Sequence, residues 1–165
     1  MGATTTFVHF TVDGDRLAVS LEEIREVARV TQITPVPRSP SIIRGLANIR
    51  GRVVTLLDAD VIYARSARGA GAARSAAPGG DGGHAVVFSG PRDHLALFTR
   101  SRVDLGRGEE ASVGGEPAGG SPPDPGAPPM GPLLTFGEDV VRLLPAAGIA
   151  AHCGARILER YRRRG

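Results

Sequence analysis

Short apolar runs doubled back over tight turns constrain this chain more than any other feature. Residues 7–12 and 16–21 flank Asp13-Gly14-Asp15, a hairpin signal because Asp-Gly accepts the left-handed backbone of a two-residue turn. Residues 84–89 and 94–99 flank Gly90-Pro91-Arg92-Asp93, and residues 133–136 and 140–144 flank Gly137-Glu138-Asp139. At the centre, residues 46–49 and 53–57 flank Arg50-Gly51-Arg52, and Asp58 closes the unit. Gly51 suits a turn that needs positive φ, and the β-branched run after it reads as a buried strand. Strands joined locally, with no alternation of strand and helix, exclude a parallel α/β sheet. They predict an all-β barrel class.

The segments between these hairpins are less uniform. From Leu21 to Val30, Leu21, Ile24, Val27 and Ala28 fit a helical stripe, while Ile24, Glu26, Ala28 and Val30 alternate. A helical turn leading into a strand satisfies both patterns. Thr34-Pro35-Val36-Pro37 and Ser39-Pro40 impose an extended loop, after which Ser41 is expected to cap a short helical turn through Ile42 and Ile43. Asp58 and Asp60 start another through Val61, Ile62 and Tyr63. Val103 and Leu105 are expected to extend the sheet of residues 84–99. Pro145 opens a terminal helix running from Ala146 to about Tyr161. Two stretches read as flexible insertions, because neither holds enough large apolar side chains to offset the entropy of ordering. They are residues 65–83, with six Gly and six Ala, and residues 106–132, with eight Gly and seven Pro.

Composition narrows function mostly by exclusion. The formal charge is +3 and all 20 basic residues are Arg, but residues 156–164 alone carry +4. The body is therefore close to neutral, and a basic groove for nucleic acid is not expected. The Arg-rich end reads as a solvated helix terminus or as a contact for anionic lipid or nucleic acid. A single cysteine, Cys153, excludes an internal disulfide and reads as a small buried side chain. His9, His84, His94 and His152 are scattered without ligand spacing, and no serine lies in a Gly-x-Ser-x-Gly elbow. No enzyme, metal site or cofactor is expected. Residues 1–6 lack the basic and apolar parts of a leader, and no window is long and apolar enough to cross a bilayer. Cytoplasmic localisation without membrane insertion is the expectation.

The stretch Gly45-Leu-Ala-Asn48-Ile-Arg50-Gly51-Arg-Val-Val-Thr-Leu-Leu-Asp58 resembles the signature of CheW-like domains. Upstream, residues 10–20 resemble that family's first hairpin, residues 21–27 its Leu-x-x-Val-x-Glu-Val segment, and Thr34-Pro35-Val36-Pro37 its proline-containing loop. The resemblance covers residues 7–62 well and the second half loosely. It implies a mainly β fold of two intertwined, SH3-like five-stranded barrels with short helices and a C-terminal helix. Residues 7–153 would form the domain and residues 154–165 a basic tail. It further implies a non-enzymatic adaptor in chemotaxis. Its implied partners are the regulatory domain of a CheA-type histidine kinase and the signalling tip of a methyl-accepting chemoreceptor, the latter at membrane-associated arrays.

Carried over residue by residue, the resemblance makes Ile24, Glu26, Arg50 and Asp60 partner-binding positions. Gly45, Asn48, Gly51 and Asp58 become signature positions that either shape the turn or face a partner. Two departures stand out. Asp60 reverses the charge usual at its position, and Phe98-Thr99-Arg100 breaks a strand end that usually runs into Val-Asp. A reversed charge at an interface changes partner choice. An alternative is therefore a diverged scaffold, outside the receptor–kinase complex, that caps arrays or serves a motility or polarity system.

Overall fold

In the computed structural model, residues 4–64, 82–110 and 126–163 are described. Ten strands and two helices follow in the order β1 (Thr4–Val12), β2 (Asp15–Ser20), β3 (Ile24–Val30), β4 (Ile43–Ile49), β5 (Arg52–Asp58), α1 (Ala59–Tyr63), β6 (Gly83–Phe88), β7 (Leu95–Thr99), β8 (Asp104–Glu110), β9 (Leu133–Phe136), β10 (Asp139–Leu143) and α2 (Ala146–Arg162). The hairpin turns form for the reasons their sequences suggest. Asp13 and Gly14 have φ of 48° and 86°, and Arg50 and Gly51 have 50° and 84°. These are left-handed pairs whose twist matches that of the strands they join. Leu21–Glu23 makes one 3-10 turn before β3, so both patterns read in that segment are realised in succession.

The strands fall into two five-stranded units. β1-β2-β10-β9-β8 closes into a barrel, and β3-β6-β7-β5-β4 forms a second sheet. The chain leaves the barrel after β2, builds the whole second unit, and returns at β8. The barrel interior holds Phe7, Ala18, Leu134 and Val141, and the second sheet has its own core around Val54, Leu56, Val87 and Phe98. A third cluster lies between the units. Val8, Phe10, Val12 and Val19 reach it from the barrel, and Leu57, Val86, Phe88 and Leu97 from the sheet. Adjacent residues on β1, β5, β6 and β7 thus point into different cores, which is why these strands are apolar on both faces. Burying each such side chain contributes about 1.5–3 kcal/mol, so the shared layer joins the two units firmly.

The helices seal this shared layer. α1 supplies Ala59, Ile62 and Tyr63, and Leu144 together with α2 supplies Ala146, Ile149 and Cys153. Burial pushes the Cys153 thiol up to about 11. The Tyr63 hydroxyl donates to the Pro129 carbonyl at 3.2 Å, and its burial raises its pKa.

Three sequence expectations fail, each through a long-range partner. Ser41 caps no helix, because Ile43 N–H donates to Pro40 O at 2.9 Å in a turn and Ile43 pairs at once with Leu57. Leu105 does not extend the sheet of β6 and β7, because β8 pairs with β1 and β9 in the other unit. The stretch 106–132 is not loop throughout. Gly106 and Gly108 lie in β8, where a Cβ on Gly106 would stand 2.7 Å from the Phe7 ring, so glycine there makes room for that buried ring. Near its other end, Gly131 N–H donates to Leu143 O at 2.8 Å. Residues 111–125 of that stretch, and 65–81 of the other expected insertion, lie outside the described residues, while Gly83 begins β6. The expected boundary after Cys153 falls inside α2, which is continuous from Ala146 to Arg162.

Candidate partner-binding site

Glu26 and Arg50, 24 residues apart in sequence, meet as an ion pair, with Arg50 Nε 3.0 Å from Glu26 Oε2. Glu26 sits on β3 just after an irregularity in its pairing with β6, and Arg50 occupies the left-handed first position of the β4–β5 turn. β3 and β4 are the two outer strands of the second sheet, so this pair joins its opposite edges and shows how far the sheet curls. A second set lies alongside. Asp93, in the β6–β7 turn, receives Arg25 Nη1 at 3.2 Å and Arg52 Nη2 at 2.5 Å. Arg25, Arg52 and Asp93 were not singled out by the sequence reading. No local signal marks them, because their meeting depends on three separate turns arriving at one end of the sheet.

Apolar side chains border this charged rim. Val27 on β3 and Val53 on β5 are 38% and 66% exposed. Ile24 is half-buried and packs against the central core, so Val27, not Ile24, is the more exposed apolar group on β3. The face therefore combines an exposed edge strand, three guanidiniums, two carboxylates and isolated valines. Such a surface can accept an extended or helical partner and fix its register by charge.

Asp60 lies elsewhere. It stands in the first turn of α1 and binds Arg100 Nη1 through Oδ2 at 3.0 Å. Asp60 and Arg100, each within a stretch expected to depart from the resembled pattern, thus meet each other, and the charge of Asp60 is answered within the chain.

The signature residues have definable backbone roles. Gly45, at φ +150°, has no room for a Cβ, which would lie 2.5 Å from Thr34 O. Asn48 Oδ1 accepts the Gly51 N–H at 2.8 Å and pins the β4–β5 turn. Asp58, almost fully buried, accepts from the N–H groups of Asp60 and Val61 at 3.1 and 3.3 Å, capping α1. Its pKa is raised, first by burial and then by the Asp60 charge, against the pull of Arg100, the Val61 N–H and Arg44. Among the described residues no group of His, Cys, Asp or Glu is arranged to hold a metal ion, and no helix is long and apolar enough to cross a membrane.

Two interleaved five-stranded units with a common core, a sealing C-terminal helix and a charged rim at one sheet end make up the architecture. The chain belongs to the CheW-like domain family, whose sequence model matches residues 6–98. It is 44% identical over 52 residues to Protein FrzA of Myxococcus xanthus, and 27% identical over 59 residues to the chemotaxis protein CheW of Klebsiella aerogenes. These alignments span 32% and 36% of the chain and equal shares of the two relatives, so the chain spans about a third of the curated relatives it matches. The scaffolding protein TtCheW of Thermoanaerobacter tengcongensis superposes with a TM-score of 0.61 at 15% identity, over 87% of this chain and 90% of that one. That likeness bears on the fold and reaches past the residues matched by the family model.

Proposed function

We propose that this chain is a non-enzymatic adaptor in bacterial chemosensory signalling that couples chemoreceptor tips to the regulatory domain of a CheA-type histidine kinase. Family membership over residues 6–98 carries the reading, because it includes β3 and the β4–β5 hairpin that build the charged rim. In this reading Glu26 and Arg50 contact the partner, with Arg25, Arg52 and Asp93 holding them in place. Part of the binding free energy comes from re-pairing these charges across the interface, where an exposed Arg fork can take a partner carboxylate. The protein works in the cytoplasm, at membrane-associated receptor arrays.

One observation favours a second reading, a CheW-like scaffold that has left the receptor–kinase complex. Asp60 pairs with Arg100 inside the chain, so the α1 position offers a partner a neutralised pair rather than a free cation. Pull-down with the kinase regulatory domain and with receptor signalling tips from the same genome tests the coupling reading. Capture of either supports it, and failure to capture both sinks it. Charge reversal at Asp60 separates the two, since coupling predicts altered signalling and the diverged scaffold predicts none.

A further inference from the structure

The Arg-rich end of α2 takes no part in the adaptor surface, yet its exposed side chains face another element of the fold. Arg156, Arg160 and Arg163 recur at helical spacings of four and three, so they share one face of α2. That face looks across a cleft of about 510 Å³ at the Pro40–Ser41–Ile42 turn. Glu159 also lines the cleft and holds Arg163 at 2.8 Å. Three guanidiniums against one carboxylate leave the lining at +2. Among the described residues, Arg156 and Arg160 have no ion-pair partner, as is also true of Arg29, Arg38, Arg44, Arg92, Arg107 and Arg142, but these two share a cleft with a third guanidinium. The field of Arg156 is felt locally: the His152 pKa is lowered by burial and by that charge.

The opposite wall is fixed by the fold. Ile42 is fully buried in the shared core, its carbonyl accepts the Asp58 N–H at 2.8 Å, and the turn closes through Ile43 N–H to Pro40 O. Ser41 is exposed in this turn and lines the cleft, which puts one hydroxyl-bearing residue on that wall. A rigid neutral wall with one hydroxyl, facing planar forks that carry net positive charge, suits a compact polyvalent anion better than a carboxylate peptide. Guanidinium forks match phosphate oxygens in pairs, and the volume lies within the range of small-ligand sites.

We propose that the cleft between α2 and the Pro40–Ile42 turn is a binding site for a phosphate-bearing anion, held by Arg156 and Arg160 with Ser41 as a hydrogen-bonding wall. The phosphate belongs to a soluble small molecule or to a lipid headgroup, and two probes separate these sources. The full 165-residue chain is titrated with inorganic pyrophosphate by calorimetry. It is also tested for co-sedimentation with vesicles of phosphatidylcholine alone or with one-third phosphatidylglycerol. Binding is expected to one of the probes, to weaken about tenfold in R156Q/R160Q, and to weaken severalfold in S41D, which puts a carboxylate on the facing wall. These side chains are exposed, so the far-ultraviolet spectrum and melting of the variants should match the parent chain. Pyrophosphate binding assigns a soluble ligand, and binding confined to the anionic vesicles assigns a headgroup. Failure of both probes at low salt overturns the proposal. So does binding that survives R156Q/R160Q, and so does binding indifferent to S41D, which would reduce it to diffuse attraction by the tail.

Discussion

Replacing Gly45 by alanine should cost this protein a large share of its stability, although the change adds a single methyl group. The added Cβ would lie 2.5 Å from Thr34 O and 2.7 Å from Ile33 Cγ2, on a backbone with φ of +150°. Thr34 cannot simply step aside. It exchanges two hydrogen bonds with Leu46, each 2.8 Å, in an isolated bridge that ties the proline-rich loop to the outer edge of β4. Relieving the clash therefore means losing that bridge, at about 0.5–1.5 kcal/mol per bond. Overpacking that is not relieved adds about 1–3 kcal/mol. The expected total is about 2–6 kcal/mol, against the roughly 5–15 kcal/mol typical of a folded domain. Gly51→Ala is the control, because a Cβ there meets nothing within 4 Å and only the φ of +84° opposes it. That change should cost about 1–2 kcal/mol. Urea unfolding of the full chain followed by circular dichroism would measure both. A Gly45→Ala variant within about 0.5 kcal/mol of the parent, or less destabilised than Gly51→Ala, would refute the steric argument.

Asp58 yields a prediction in which pH sets the sign. Its folded pKa is raised above 3.8, so its ionisation weakens the folded state as pH rises through the folded value. Asp58→Asn keeps a capping oxygen and removes that charge, so its stability relative to the parent should improve from pH 3.8 upward, whereas Asp58→Ala should cost about 1 kcal/mol or more through the lost cap. Urea midpoints measured across that range would check both. The Asp60–Arg100 pair is partly exposed, so either single charge reversal should change stability by less than about 1 kcal/mol. A double-mutant cycle with Asp60→Arg and Arg100→Asp should show the swap recovering the loss. Gly108→Ala should loosen the barrel by crowding Thr135 O and the Phe7 ring, read as lost hydrogen-exchange protection in β8 and β9. Cys153, buried and with its pKa pushed up to about 11, should react with a thiol reagent only as fast as the chain unfolds.

The hairpins were legible in the sequence because turn chemistry is local. Asp13-Gly14 and Arg50-Gly51 reverse the chain through their own backbone preferences, and the flanking β-branched runs need no distant partner to favour extension. The 3-10 turn at Leu21–Glu23, the cap at Asp58 and the helix after Pro145 were readable for the same reason. The signature around Gly45–Asp58 pointed to the family, whose model matches residues 6–98.

Composition misled where glycine serves packing instead of flexibility. Gly106 and Gly108 carry the marks of a loop, and their place in β8 depends on Phe7, about a hundred residues earlier, needing the space. The rim could not be read locally either. Asp93 bridges Arg25 and Arg52 across 68 and 41 residues of chain, and Asp60 meets Arg100 across 40. Local dihedral preference and apolar alternation act within a few residues, so the sequence alone settled where this chain turns and which runs extend. Which strand joins which unit, and which charges meet, depends on the route of the whole chain through a barrel and a second sheet that share a core. Only the tertiary structure decided those.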